Sequence, residues 1–315
     1  MKKIRLLLPY YGQWPSYLQI FLRSLERNNI IEAVLISDLP SPANIPSNCV
    51  LLPLSMDDLK LRIQRYICKD ATLASPYKLC DYKPAYAEIF PDLVDGYSYW
   101  AFGDLDLVYG NISKCLPPNW DEYDILTFRT EWISGAFTIL ANNLFVNSLY
   151  RQSLSFPRIF ESIKYTGFDE CFDNFAVLIG CQSDTILGVD RRQSFGYLVR
   201  SAQANNHARV FQETRIKESL PPSDSLLVDS NGILDSRGIP YILYHYITEK
   251  HSFFFTLPDW HDLPDKFYID RFGFQAGKPT LVEAFLRAFS CNLWGFARCA
   301  LSRLMRFASK VETLF

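Results

Sequence analysis

The chain has 315 residues, of which 49% are hydrophobic and 21% charged, so it holds enough apolar material for one large domain and excludes extended disorder. Its formal net charge of −2 produces no long-range positive field that would attract nucleic acid, so any phosphate group must be bound by a local cluster of residues. The eight cysteines form no C-x-x-C pair, which argues against a zinc ribbon or a thioredoxin-type site and favours buried thiols in a reducing compartment.

The first residues do not resemble a targeting segment. Basic residues precede a short apolar run that Pro9 ends, and this run is too short for a signal-peptide core. No stretch reaches the roughly 18 to 20 uncharged apolar residues that a membrane span needs. We therefore expect a cytoplasmic protein whose contact with a membrane, if any, is peripheral.

The N-terminal pattern predicts a β-α-β unit. Residues 4–8 form a continuous apolar run typical of a parallel strand buried on both faces, residues 16–28 repeat apolar side chains at helical spacing, and residues 31–36 form a second strand. Ligands of such units bind at the carboxyl ends of the strands, but no G-x-G-x-x-G follows the first strand. The candidate donor-binding residues at these ends are Pro9, Tyr10, Tyr11 and Asp38.

The remaining elements follow from the same patterns. Asp81 is the predicted N-cap of a helix at 85–90, with Pro84 in its first turn. The turn signals Asn231-Gly232 and Arg237-Gly238 indicate a hairpin region. The other predicted elements are a helix at 57–68, strands at 97–102, 123–128 and 136–140, helices across 144–180, short strands across 226–246 and a helical tail at 280–310.

Two acids follow the strand predicted at 97–102. Side chains alternate along an extended chain, so Asp104 and Asp106 point the same way and share one small space. Such a pair is unfavourable without a cation, and hard oxygen ligands select magnesium, manganese or calcium. A divalent ion there would stabilise the charge of a departing diphosphate. The alternative is a loop in which Asp104 caps a turn and Asp106 is solvated.

Two other families use similar acidic motifs. An EF-hand loop requires an oxygen ligand at its fifth position and glycine at its sixth, where this chain has Val108 and Tyr109. A phosphatase of the haloacid dehalogenase type also begins with D-x-D-x-V, but its motif follows the first strand of the core. Here a β-α-β unit precedes the motif, and the phosphatase remains the rival enzyme hypothesis.

Three motifs in a fixed order resemble a known group. The chain has P-Y-Y-G at 9–12, Y-K-L-C-D-Y-K-P-A-Y at 77–86 and D-L-D-L-V-Y-G-N-I at 104–112. Together they resemble bacterial GT-A glycosyltransferase-like proteins of cell-surface polysaccharide loci, over roughly residues 1–250. The resemblance implies an α/β GT-A fold, with a mixed, mainly parallel sheet flanked by helices. It also implies a nucleoside-diphosphate sugar donor, a glycan or lipid-linked acceptor, and Mn²⁺ or Mg²⁺ as the cofactor.

The resemblance also assigns roles to individual residues. Asp104 would face the ribose and the metal, and Asp106 would be the principal metal ligand. His245 would be a third ligand or a diphosphate contact, although a hydrogen-bonded structural histidine is an equally open interpretation. Lys250 would neutralise phosphate, although residues 247–249 separate it from Tyr246, which departs from the pattern of the group. His251 is the fallback ligand.

Further candidates are Gly135, which would allow close approach of the backbone to a sugar, and the acid pair Asp169 and Glu170. On the helical segment predicted there, this pair would supply the general base that deprotonates an acceptor hydroxyl. The alternative is a solvated helix face. Lys78, Asp81 and Lys83 are assigned to the donor site, where they would order the loop beneath the nucleoside, and a purely structural role for each is the open alternative.

The sequence divides into a catalytic domain at 1–279 and an amphipathic basic tail at 280–315. Between Ala284 and Val311 there is no acidic residue, while five basic side chains lie opposite an apolar stripe that includes aromatic rings. This pattern is typical of a helix that lies on the inner face of the cell membrane, and a helix packed on the domain is the alternative. A non-catalytic glycan-binding scaffold is the third functional hypothesis.

Overall fold

A computed structural model describes residues 3–171, 185–186, 189–190, 193–221, 223–252, 254–258, 260 and 263–278. The helices are α1 (Leu18–Glu26), α2 (Met56–Tyr66), α3 (Leu79–Tyr82), α4 (Tyr86–Ile89), α5 (Pro91–Val94), α6 (Ile112–Cys115), α7 (Leu144–Ser148), α8 (Phe156–Glu161) and α9 (Phe195–Ala204). The strands are β1 (Ile4–Pro9), β2 (Ile31–Ser37), β3 (Cys49–Pro53), β4 (Tyr99–Gly103), β5 (Leu107–Tyr109), β6 (Ile125–Thr127), β7 (Phe137–Ala141), β8 (Thr185–Ile186), β9 (Val189–Asp190), β10 (Val210–Gln212), β11 (Ile216–Glu218), β12 (Ser225–Asp229), β13 (Gly232–Leu234), β14 (Pro240–Tyr241), β15 (Leu243–His245), β16 (Phe267–Asp270) and β17 (Gly273–Gln275).

A seven-stranded sheet forms the centre of the fold, in the order β10-β6-β7-β4-β1-β2-β3. The β1–β2, β2–β3, β1–β4 and β6–β10 pairs are parallel, whereas β7 runs antiparallel to both β4 and β6. The predicted mixed, mainly parallel α/β sheet and the opening β-α-β unit are confirmed.

Both faces of this sheet are buried, which explains why β1 is a continuous apolar run. Leu7 packs into one hydrophobic cluster, together with Ile63 of α2. Leu6 and Leu8 point the other way, into a second cluster with Phe21 of α1. Helices therefore flank the sheet on both sides, and functional groups that the sheet supports are displayed at its carboxyl edge.

A second sheet of three strands, in the order β11-β15-β5, lies next to that edge. In the parallel pair β11–β15, Glu218 is opposite His245, and in the antiparallel pair β15–β5, His245 is opposite Leu107. Residues far apart in the sequence therefore meet in one row. Five antiparallel strands form a third sheet, β14-β13-β12-β16-β17, which includes the hairpin predicted at Asn231-Gly232.

The structure differs from the sequence prediction in several places. Besides β3, the prediction lacked the strands β5, β8 to β11, β16 and β17 and the helix α9. Within the helical stretch predicted at 144–180, residues 144–161 form two short α-helices with a 3-10 helix between them. Asp81 is not an N-cap: it lies within α3, and its carboxylate pairs with Lys78 and accepts a hydrogen bond from the Thr166 amide instead.

The C-terminal tail at 280–315, and with it the predicted membrane-surface helix, lies outside the described residues. Within the described part, no helix has the length and apolar character that crossing a membrane requires.

Candidate active site

A cavity of about 670 Å³ opens at the carboxyl ends of β1 and β4. This is the edge at which open α/β sheets place their ligands. Most residues that the sequence assigned to the site line it. These are Pro9, Tyr10, Tyr11, Lys83, Asp104, Asp106, Gly135, Asp169, Glu170, His245 and Lys250, together with the fallback ligand His251.

Three predicted donor-binding residues do not line this cavity. Asp38 is exposed just beyond the end of β2. Lys78 and Asp81 are completely buried and pair with each other, Nζ to Oδ2, at 2.7 Å. The structure therefore does not bring these three side chains together with the others.

Asp104, Asp106 and His245 can each offer one ligand atom within 4.8 Å of the others. Asp104 follows β4 of the large sheet, and Asp106 directly precedes β5 of the three-stranded sheet. The β15–β5 pairing then places His245 beside Leu107, next to the acids. The turn from one sheet to the other thus builds a potential metal site from two neighbouring acids and a histidine that follows Asp106 by 139 positions.

The His245 ring is held by a second carboxylate. Its Nδ1 lies 3.0 Å from Glu218 Oε1, and its Nε2 lies 3.3 Å from Asp106 Oδ2. Arg129 forms an ion pair with Glu218 from the other side. A carboxylate on one imidazole nitrogen orients the ring and leaves the other nitrogen to bind a metal, an arrangement common in metal sites.

Sequence reasoning missed Glu218 and Arg129. Their contribution depends on the parallel pairing of β11 with β15, which joins Glu218 to His245 across 27 positions. No local motif signals that pairing, because Glu218 ends a three-residue strand with no distinctive spacing to the histidine.

The electrostatics favour charged side chains here despite their burial. Burial by itself would raise the pKa of Asp106, but His245 and Lys250 outweigh it and hold the pKa well below its usual range. Burial would lower the pKa of His245, whereas its interactions with Asp106 and Glu218 raise the pKa to about 9. Lys250 Nζ lies 2.6 Å from Asp106 Oδ2 and so partly neutralises that carboxylate.

Lys83 connects this cluster with a second acidic group. Its Nζ donates to Asp104 Oδ1 at 2.7 Å and to the Gly135 carbonyl at 2.9 Å, and it lies 3.5 Å from Asp169 Oδ2. Burial would lower the pKa of Lys83, but the neighbouring negative charges, led by Asp104, raise it well above the ordinary value. Lys83 is therefore a permanent positive charge between Asp169 and the group Asp104, Asp106 and His245, which we call the metal-type cluster.

The acid pair lies in a buried turn, not on the solvated helix face that was the alternative, and not on the helix that the sequence predicted. Asp169 is 2% exposed, and Glu170 Oε1 accepts a hydrogen bond from the Gly135 amide at 2.6 Å. Burial raises the pKa of both carboxyl groups. A β-carbon at Gly135 would lie 2.7 Å from Asp169 Oδ2, so the close approach at this glycine is made by the acids themselves.

The residues present fit a divalent cation. His245 Nε2 is buried and has no hydrogen-bond partner of good geometry among the described residues, although it faces a carboxylate. In the same region, five acidic side chains (Asp104, Asp106, Asp169, Glu170 and Glu218) are grouped with three basic side chains (Lys83, Lys250 and Arg129). Carboxylate oxygens together with one imidazole nitrogen form a donor set that suits Mn²⁺ or Mg²⁺.

Fold and site together define an α/β protein with an Asp-Asp-His cluster at the carboxyl edge of a mixed sheet. The chain belongs to the family of unknown function DUF6625, whose profile matches residues 6–218. No curated protein matches the sequence. Among solved structures, the chain is similar to the crystal structure of mouse xyloside xylosyltransferase 1 in its apo form. The two are 12% identical with a TM-score of 0.40, over 78% of this chain and 98% of that chain.

Proposed function

We propose that the protein is a metal-dependent glycosyltransferase of the GT-A type. It moves a sugar from a nucleoside-diphosphate donor to a glycan or lipid-linked acceptor. The observation that carries this proposal is the meeting of Asp104, Asp106 and His245 within 4.8 Å in a large cavity at the carboxyl edge of the sheet.

Each part of the cavity has a chemical task under this proposal. Asp104, Asp106 and His245 hold Mn²⁺ or Mg²⁺, and the bound ion supplies Lewis-acid stabilisation of the diphosphate leaving group. Lys250 reaches into the cavity beside Asp106 and is placed to neutralise phosphate oxygens. Tyr10, which is partly exposed and stacks on Trp14 with ring centroids 5.5 Å apart, offers a flat surface for a nucleobase.

The acid pair supplies the acceptor side. A raised pKa makes the carboxylate of Asp169 or Glu170 a stronger base. The deprotonation of an acceptor hydroxyl requires such a base. Asp169 and Glu170 lie within the same cavity as the metal-type cluster and are linked to it through Lys83. This proximity supports a single reaction centre rather than two separate sites.

We also propose that this activity serves the synthesis of cell-surface polysaccharide, in the cytoplasm of bacteria, with the basic tail on the membrane surface. The three motifs at 9–12, 77–86 and 104–112 support the first part, and the charge asymmetry of residues 284–311 supports the second.

Calorimetry tests the metal and donor assignments directly. UDP and GDP are titrated into the protein with and without MnCl₂, and we expect binding that depends on the metal. Asp106→Asn should abolish this dependence, whereas Asp95→Asn, which changes an exposed aspartate at the C-terminal end of α5, should not. Metal-dependent nucleotide binding that persists unchanged in Asp106→Asn would refute the assignment of Asp106 as a ligand.

Incubation with a panel of UDP- and GDP-sugars and MnCl₂ then tests the reaction, with slow release of nucleotide as the expected result. Hydrolysis of p-nitrophenyl phosphate in place of nucleotide-sugar turnover would favour the phosphatase. Binding of glycans with neither activity would favour the non-catalytic scaffold.

A further inference from the structure

The wall of the cavity next to the acid pair carries two aromatic rings that none of the assigned roles uses. Tyr77 and Tyr165 are in edge contact, with ring centroids 4.5 Å apart and an interplanar angle of 66°, and both line the cavity. Tyr77 is 62% exposed, so its ring is accessible to a ligand. Tyr165 lies four residues before Asp169, so the rings and the acid share one segment of chain.

A fully buried ion pair fixes this wall in place. Lys78, the neighbour of Tyr77, donates to the Lys164 carbonyl at 2.8 Å, just before Tyr165. Its partner Asp81 accepts hydrogen bonds from the Thr166 amide at 3.0 Å and from the Phe168 amide at 2.9 Å. Both ends of the segment that joins Tyr165 to Asp169 are therefore held by one pair of charges.

The acid next to this wall has an unused acceptor atom. Asp169 is 2% exposed and lines the cavity, yet its Oδ1 has no hydrogen-bond partner among the described residues. A buried carboxylate oxygen without a partner is unfavourable, and a hydroxyl group from a ligand would satisfy it. An aromatic surface beside a hydroxyl acceptor matches a pyranose ring, which presents an apolar C–H face and polar edges.

We propose that Tyr77 and Tyr165 form the binding site for the acceptor sugar, with the apolar face of a pyranose against the rings and one of its hydroxyl groups donating to Asp169 Oδ1. This inference rests on the proposed glycosyltransferase function and adds to it the location and chemical class of the acceptor. It also explains the position of Lys78 and Asp81, which lie outside the cavity but hold the wall.

Saturation-transfer difference NMR tests the site with defined probes. Methyl glycosides of glucose, galactose, mannose and N-acetylglucosamine, each in both anomeric forms, are titrated into the full chain in the presence of UDP and MgCl₂. At least one glycoside should show saturation at its ring C–H protons. Tyr77→Ala and Tyr165→Ala should each weaken its Kd by about two- to tenfold, the range expected for the loss of one ring contact.

Two further variants keep the test specific. Tyr77→Phe keeps the ring and should retain the parent Kd. Tyr66→Ala removes a half-exposed tyrosine on α2 outside the cavity and should also retain it. Circular dichroism spectra of all variants should match that of the parent.

Three results would overturn the proposal: no saturation of any glycoside in the parent, an equal Kd in the parent and both alanine variants, or an equal loss in Tyr66→Ala. The separate UDP titration of the parent reports on the proposed function. If UDP does not bind with metal but the glycoside still depends on Tyr77 and Tyr165, the glycosyltransferase proposal fails and the sugar site stands. If UDP binds and the alanine variants match the parent, only the sugar site fails.

Discussion

The buried pair Lys78–Asp81 offers the sharpest test of how this site is held together. Lys78 uses all three of its N–H groups: Nζ donates to Asp81 Oδ2 at 2.7 Å and to the carbonyls of Ile159 and Lys164 at 2.8 Å each. Both side chains are 0% exposed. Replacement by methionine, Lys78→Met, keeps the length of the side chain and deletes the charge and all three hydrogen bonds.

The expected loss follows from what the substitution leaves behind. Asp81 keeps its hydrogen bonds from Thr166 and Phe168 but becomes a buried anion without a counter-charge, and two carbonyls lose a donor. Removing one partner of a buried ion pair typically costs about 3–5 kcal/mol. This is a large part of the roughly 5–15 kcal/mol by which folded domains are stable.

Equilibrium unfolding in urea, followed by tryptophan fluorescence and circular dichroism, measures the change, provided that the two transitions coincide. The matched control is Arg209→Met, which breaks the ion pair with Glu122 at the surface, where the side chains are 57% and 53% exposed. That substitution should change the free energy of unfolding by about 1 kcal/mol or less. A loss in Lys78→Met as small as that of the control would refute the view that this pair holds the segment at 159–168.

Four further predictions concern the cavity. His245→Ala should weaken Mn²⁺ binding in calorimetry more than His251→Ala does, and the reverse order would show that His251 is the ligand. Glu218→Gln should weaken Mn²⁺ affinity by about 10- to 100-fold without unfolding the chain, because the carboxylate orients the His245 ring, whereas Glu122→Gln at the surface should match the parent. Gly135→Ala should lower the rate of sugar transfer while metal-dependent UDP binding persists, since its β-carbon would lie 2.7 Å from Asp169 Oδ2; an unchanged rate would mean that the acids need not hold their positions. A chain truncated after Pro279 should lose sedimentation with anionic liposomes, and equal sedimentation of the two proteins would exclude the tail as a membrane anchor.

The centre of the large sheet was readable from the sequence because β1, β2, β4 and β7 are buried on both faces, whereas the partly exposed edge strands β3 and β10 were not predicted. An apolar run such as residues 4–8 has few alternatives, and β1, α1 and β2 appear where the patterns place them. Between residues 144 and 161 the apolar side chains recur, and the chain forms short helices and turns, with Asn143 as the N-cap of α7 and a proline in the first turn of α8.

The site was only partly readable, for a different physical reason. Asp104 and Asp106 lie two residues apart, so their shared direction follows from local geometry. The position of Glu218 beside His245 depends on strand pairing between distant segments, and no spacing along the chain encodes it. Asp169 and Glu170 illustrate the same limit: as a local pattern they fit a solvated helix face, but tertiary packing places them in a buried turn against Gly135.

Lys83 determines how the two halves of the cavity depend on each other. The Asp-Asp-His cluster is built where the two sheets meet, and Asp169 belongs to a loop held by Lys78 and Asp81, so no continuous strand joins these parts. Lys83 contacts Asp104 at 2.7 Å and Asp169 at 3.5 Å, and it donates to the carbonyl of Gly135, whose amide binds Glu170. This cation is a counter-charge shared by Asp104 and Asp169, and it offsets part of the repulsion that drives like charges this close to protonate. A change at Lys83 should therefore disturb both the metal-type cluster and the acid pair, whereas a change at Glu218 should disturb only the first.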